Sequence, residues 1–67
     1  MINETAEYQG EEYTLDDILP FESKPYIKCL GAPYANNVYL NRNETMSEWL
    51  DSRGIDTDDG EYEWWID

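Results

Sequence analysis

The sequence predicts a small α+β domain, an antiparallel sheet with one main helix and a short helical turn, from three features of its 67 residues. Met46, Trp49, Leu50 and Arg53 recur at i, i+3, i+4 and i+7, the spacing of one helix face. Two short runs bounded by turn formers, Pro25 to Leu30 and Glu61 to Ile66, read as strands. Three Trp, six Tyr and one Phe compensate for scarce aliphatics. Leu, Ile, Val and Phe number only 12 of 67, below the level of roughly 20% at which high net charge signals disorder. The aromatic area makes a compact but marginal core available, so a folded domain with frayed ends is expected. A chain this short buries about 60% of its unfolded surface, which excludes a multi-domain enzyme and makes residues 1–67 a single small acidic domain.

The elements follow in order. Glu7-Tyr8-Gln9, Gly10 and Glu11-Glu12-Tyr13-Thr14 read as a hairpin or an irregular edge strand. Thr14 with Asp17 three residues on resembles a capping arrangement that opens a helical turn through Leu15, Ile18 and Leu19, stopped by Pro20. That turn presents Asp16 and Asp17 outward. After the strand Pro25 to Leu30, Gly31-Ala32-Pro33 and Asn36-Asn37 form a connection, and Val38 to Leu40 is a second strand. Asn43 or Thr45 caps a helix over 44 to 53, with Gly54 as its stop. Asp58-Asp59-Gly60 is a turn. In the last strand Tyr62, Trp64 and Ile66 share one face, and Glu61, Glu63 and Trp65 the other.

Sixteen Asp and Glu against four Lys and Arg, with no His, give a net charge of −12. Residues 1 to 22 hold seven acids and no base, 23 to 43 three bases and no acid, and 44 to 67 nine acids and one base. Such a polyanion is repelled by phosphates, which excludes direct nucleic-acid binding and disfavours an anionic membrane surface. The natural partner is basic. No stretch approaches membrane-spanning length and no basic, apolar leader opens the chain, so it is expected in the cytoplasm. Lone Cys29 forbids an intrachain disulfide and fits that reducing compartment.

Catalysis is not expected. The chain lacks His, a phosphate-cradling Gly loop and a Gly-x-Ser-x-Gly elbow. Lys28 stands beside Cys29, but strand neighbours point to opposite faces, so Cys29 reads as a small buried hydrophobe. No cofactor is implied. Asp56 to Asp67 has the length of a calcium loop, yet Gly60 stands fifth rather than sixth and Glu63 eighth, so an acidic turn without metal is expected.

The acids carry the functional reading. Glu44, Glu48 and Asp51 lie at i, i+4 and i+7, stacking like charge along the helix at about 0.2–0.5 kcal/mol per close pair. Glu61 and Glu63 sit on one strand face about 6.8 Å apart, of the order of neighbouring phosphates. Each set is either a solvated face or a surface shaped for a cleft that grips nucleic acid. Trp49 and Trp64 are assigned to the core. Trp65, among acids, is the candidate exposed anchor, because Trp is enriched at interface hot spots.

Leu15-Asp16-Asp17-Ile18-Leu19-Pro20, followed by Tyr26-Ile27-Lys28-Cys29-Leu30-Gly31-Ala32, resembles a run in the staphylococcal-type uracil-DNA glycosylase inhibitors. There an acidic helix end closing in Ile-Leu-Pro precedes a strand ending in Leu-Gly-Ala. The likeness covers about a quarter of the chain, with Phe21 to Pro25 as extra residues between its halves. It implies a DNA-mimicking inhibitor from a phage or mobile element, in which a Glu-Ser-Ile element enters the enzyme's DNA groove. Glu22-Ser23 is here followed by Lys24. The resemblance therefore carries over only Glu11, Glu12, Glu22 and Ser23 as candidates.

The expectation is a non-catalytic inhibitor in the basic DNA-binding cleft of a DNA-processing enzyme, first a uracil-DNA glycosylase. A restriction or CRISPR nuclease is the next target. An acidic adaptor that docks on a basic host protein without blocking nucleic acid is the alternative. The candidate contact residues are Glu11, Glu12, Asp16, Asp17, Glu22, Ser23, Glu44, Glu48, Asp51, Glu61, Glu63 and Trp65.

Overall fold

Gln9 and Gly10 have φ of 51° and 81°, the two left-handed residues that a type I′ turn needs. In the computed structural model, which describes residues 1–67, they close an antiparallel hairpin between β1 (Thr5–Tyr8) and β2 (Glu11–Thr14). Of the two forms the sequence allows, the hairpin is the one adopted. Ala6 is buried and Tyr8 and Tyr13 pack against the core, while Glu7 and Glu12 stand exposed, the alternation of a half-buried ribbon.

The turn after β2 corrects the expected helical turn. Asp17 Oδ2 accepts from Thr14 N–H at 2.7 Å and Thr14 Oγ1 from Asp16 N–H at 3.2 Å, so the capping pair forms. Pro20 leaves no length for a helix behind it, and Leu19 drops into the core from an irregular segment. A second correction concerns the strand expected at Val38 to Leu40. The strand is β4 (Asn36–Asn37), paired to β3 (Pro25–Cys29) through Tyr26↔Asn37 and Ile27↔Asn36. Val38 N–H still donates to the Pro25 carbonyl at 3.0 Å, and the ladder stops there because Pro25 has no N–H to return; the Val38 side chain is buried in the core.

The helix α1 spans Met46–Ser52, shorter than the expected 44 to 53, because the capping box sits at Thr45. Thr45 Oγ1 accepts from Glu48 N–H at 3.2 Å and Glu48 Oε1 accepts from Thr45 N–H at 3.1 Å. Asn43, the other expected cap, instead takes a left-handed φ of 64° in the preceding turn. Met46, Trp49 and Leu50 are buried. Arg53, expected on the inward stripe, is the exposed C-cap residue, with its guanidinium 4.8 Å from the Trp49 ring centroid. Thr57–Asp59 forms a 3₁₀ turn, capped by Asp56 Oδ1, which accepts from Asp58 N–H at 3.0 Å.

The last strand, β5 (Tyr62–Ile66), pairs antiparallel with β3 and completes a sheet of order β4-β3-β5. Its other edge is closed by residues 1–3. The Asn3 side chain acts as a ladder partner there: Oδ1 accepts from Trp64 N–H at 3.0 Å, and Nδ2 donates to the Trp64 carbonyl at 2.9 Å. The core between sheet and helix consists of nine buried apolar residues, with Trp64 and Met46 sealed most completely, and holds no buried polar or charged residue. The radius of gyration, 11.2 Å, matches the value of about 11 Å for a folded chain of this length. Only Trp49 and Trp64 of those nine core residues are aromatic, and Phe21, Tyr34 and Tyr39 stand exposed, so the aliphatics make up most of the buried core and the aromatic reserve is only partly used.

Cys29 is exposed, correcting its assignment as a buried hydrophobe. It ends β3 opposite the half-buried Tyr62, past the last fully buried pair, Ile27 and Trp64.

Candidate functional site

Fifteen of the sixteen carboxylates are on exposed residues and the sixteenth, Glu44, is half-buried. The chain's own hydrogen bonds sort them. Asp17 and Glu48 are committed to their capping arrangements, and Glu44 Oε1 accepts from Asn41 N–H at 2.9 Å. Ser23 is also engaged, its Oγ donating to the Pro20 carbonyl at 2.6 Å. The expected helix stripe is therefore not a stack of idle like charges. Glu44 lies before α1, Glu48 closes the capping box, and only Asp51 stands on the helix without a bond to satisfy.

The sheet's outer face carries Tyr26 and Lys28 from β3 and Glu63 and Trp65 from β5. Tyr26 stacks on Trp65 with centroids 5.7 Å apart and planes at 14°, so the expected anchor is half-buried against a neighbour. Lys28 lies opposite Glu63 in the register, and Lys24 exchanges backbone bonds with Asp67 at 3.0 and 2.8 Å. Each acid beside the aromatic stack thus has a base across the ladder. Glu61 lies just beyond, where its carbonyl accepts from Leu30 N–H at 2.9 Å.

The hairpin is different. Glu7 and Glu12 are direct Cα partners, two carboxylates held face to face across β1 and β2 with no base in the block. Like charges directly opposite on a ribbon are destabilising. Glu11 precedes Glu12 on the same strand and points to the opposite face, and Asp16 lies in the next turn, both exposed. Glu7 is the residue that the sequence reading missed. The Gln9-Gly10 turn was the available signal, because a two-residue turn fixes the pairing that sets position 7 against position 12.

The twelve predicted residues do not form one footprint. α1 packs on the core face of the β4-β3-β5 sheet, so Asp51 and Glu48 lie on the opposite side from Glu63 and Trp65. Glu22 is exposed in the irregular segment before β3. No group of three or more His, Cys, Asp or Glu is arranged to hold a metal ion, and no helix is long and apolar enough to cross a membrane. No protein-family model, curated protein or solved structure matches the chain.

Proposed function

We propose that the chain is a non-catalytic inhibitor that mimics DNA and occupies the basic DNA-binding cleft of a DNA-processing enzyme. The observation that carries this reading is the Glu7–Glu12 pair, in a block of seven acids and no base. Rigid strands hold these carboxylates close together at a cost to the free protein. A cationic cleft recovers that cost on binding, because the charges repel one another only until Lys and Arg side chains neutralise them. A uracil-DNA glycosylase is the first target, supported by the resemblance of Leu15 to Pro20 and Tyr26 to Ala32 to its phage-type inhibitors. A restriction or CRISPR nuclease presents the same kind of cleft.

The outer sheet face favours a second reading. Trp65 and Tyr26 between Lys24, Lys28 and Glu63 form a mixed-charge aromatic surface suited to an acidic adaptor that docks beside a basic site and leaves it open. Affinity capture from bacterial lysate, wild type against a Glu7→Gln/Glu11→Gln/Glu12→Gln variant, with mass spectrometry of the bound proteins, tests the proposal. Mimicry predicts nucleic-acid enzymes that the variant loses. Enrichment of other proteins alone, or of the same enzymes by both baits, refutes it.

A further inference from the structure

A cleft of about 480 Å³ lies between the C-terminal end of α1 and the Cys29 end of the sheet. Its size falls in the range of small-molecule sites. Ile27, Ile55 and Tyr62 line it, and none of its lining residues is an Asp or Glu, in a chain where sixteen of 67 residues are acidic. Two further lining residues, Trp49 and Arg53, lie against each other. Trp49 Nε1 is buried with no hydrogen-bond partner, whereas the Trp64 indole N–H donates to the Asn3 carbonyl at 2.8 Å. The Trp49 nitrogen exposes no surface, so it is not a donor to anything in the cleft. Arg53, the one base of residues 44–67, holds its guanidinium 4.8 Å from the Trp49 ring centroid. The carbonyls of the last helical turn do not oppose an anion here. Trp49, Leu50 and Asp51 already accept from Arg53, Ile55 and Gly54 N–H at 3.0–3.1 Å.

We propose that this cleft binds a small monocarboxylate with an apolar body. The acid sits on the Arg53 guanidinium, which lies over the Trp49 ring, and the body lies against Ile27, Ile55 and Tyr62. A guanidinium fork fits a carboxylate in two parallel bonds, which a neutral amide cannot reproduce.

The test is titration of the full ¹⁵N-labelled chain with phenylacetate, phenylacetamide and phenethylamine, observing the three Trp indole resonances. The proposal expects a saturable shift of Trp49 with phenylacetate alone, with a Kd of about 1 mM or tighter. Iodoacetamide alkylation of exposed Cys29, which also lines the cleft, should slow with occupancy. Arg53→Gln should weaken binding about tenfold or more, and Arg53→Lys less. No Trp49 shift with phenylacetate up to about 20 mM, or an equal response to the amide, overturns the proposal in the wild-type protein itself.

Discussion

Replacing Asn3 by Ala removes the one side chain that serves both backbone groups of Trp64. In the native structure Oδ1 accepts from Trp64 N–H at 3.0 Å, and Nδ2 donates to the Trp64 carbonyl at 2.9 Å and to Thr5 at 2.8 Å. Each such bond contributes about 0.5–1.5 kcal/mol net, and more where its loss strands a partner away from water. The Thr5 bond is exposed and counts least, while both Trp64 bonds are part-buried, so the variant should lose about 2–3 kcal/mol. For a domain of this size 1 kcal/mol moves the midpoint by about 4–8 °C, giving a drop of about 8–24 °C. Asn36→Ala, at an exposed edge position, should stay within about 0.5 kcal/mol of wild type. Thermal melts followed by near-ultraviolet circular dichroism, backed by urea titrations, measure both variants. An Asn3→Ala midpoint within about 2 °C of wild type would refute the argument.

Glu7→Gln/Glu12→Gln should raise the thermal midpoint by about 2–5 °C as cross-strand repulsion is relieved, while affinity for the target falls; a stability loss would show the pair is not repulsive. Trp65→Ala should cost about 1 kcal/mol of stability through the lost Tyr26 stack and leave competition with DNA intact, whereas an adaptor docking on that face would lose about 2 kcal/mol or more of binding. Millimolar calcium should leave the midpoint unchanged in scanning calorimetry, because Asp56 is spent on its turn; a rise reversed by chelator and absent with magnesium would contradict this.

Local signals carried far in this chain. Gln9-Gly10 marks a two-residue turn, Thr45 with Glu48 a capping box and Gly54, at φ 69°, a helix stop, each written within a few residues. Alternation in Tyr62–Ile66 likewise set Trp64 inward. What the sequence concealed depends on distant partners. The Asn3 amide bonds a strand 61 residues away, and no periodicity announces a side chain that substitutes for a strand. β4 ended at Val38 because its partner across the ladder is Pro25, which accepts from Val38 N–H but has no N–H to return, a limit visible only once the register is known. The helix stripe failed because position 44 lies outside the helix, so i, i+4 spacing with Glu48 places no charge above another. For the candidate site, the acidic blocks were legible as composition. Their division between opposite faces, and the bases facing Glu63 and Asp67, required the register of β3 and β5.

Competition with DNA tests the central claim most directly. A fluorescent uracil-containing duplex is bound to a bacterial uracil-DNA glycosylase, or to the nuclease that capture identifies, and anisotropy is followed as the chain is added at several salt concentrations. Mimicry predicts full displacement, with an apparent DNA dissociation constant that rises in proportion to the inhibitor. Displacement should weaken with salt, since steering is screened beyond about 8 Å at physiological ionic strength. Glu7→Gln/Glu11→Gln/Glu12→Gln should displace far less. A stable ternary complex, with anisotropy higher than that of the enzyme–DNA complex at every salt concentration, would contradict the account.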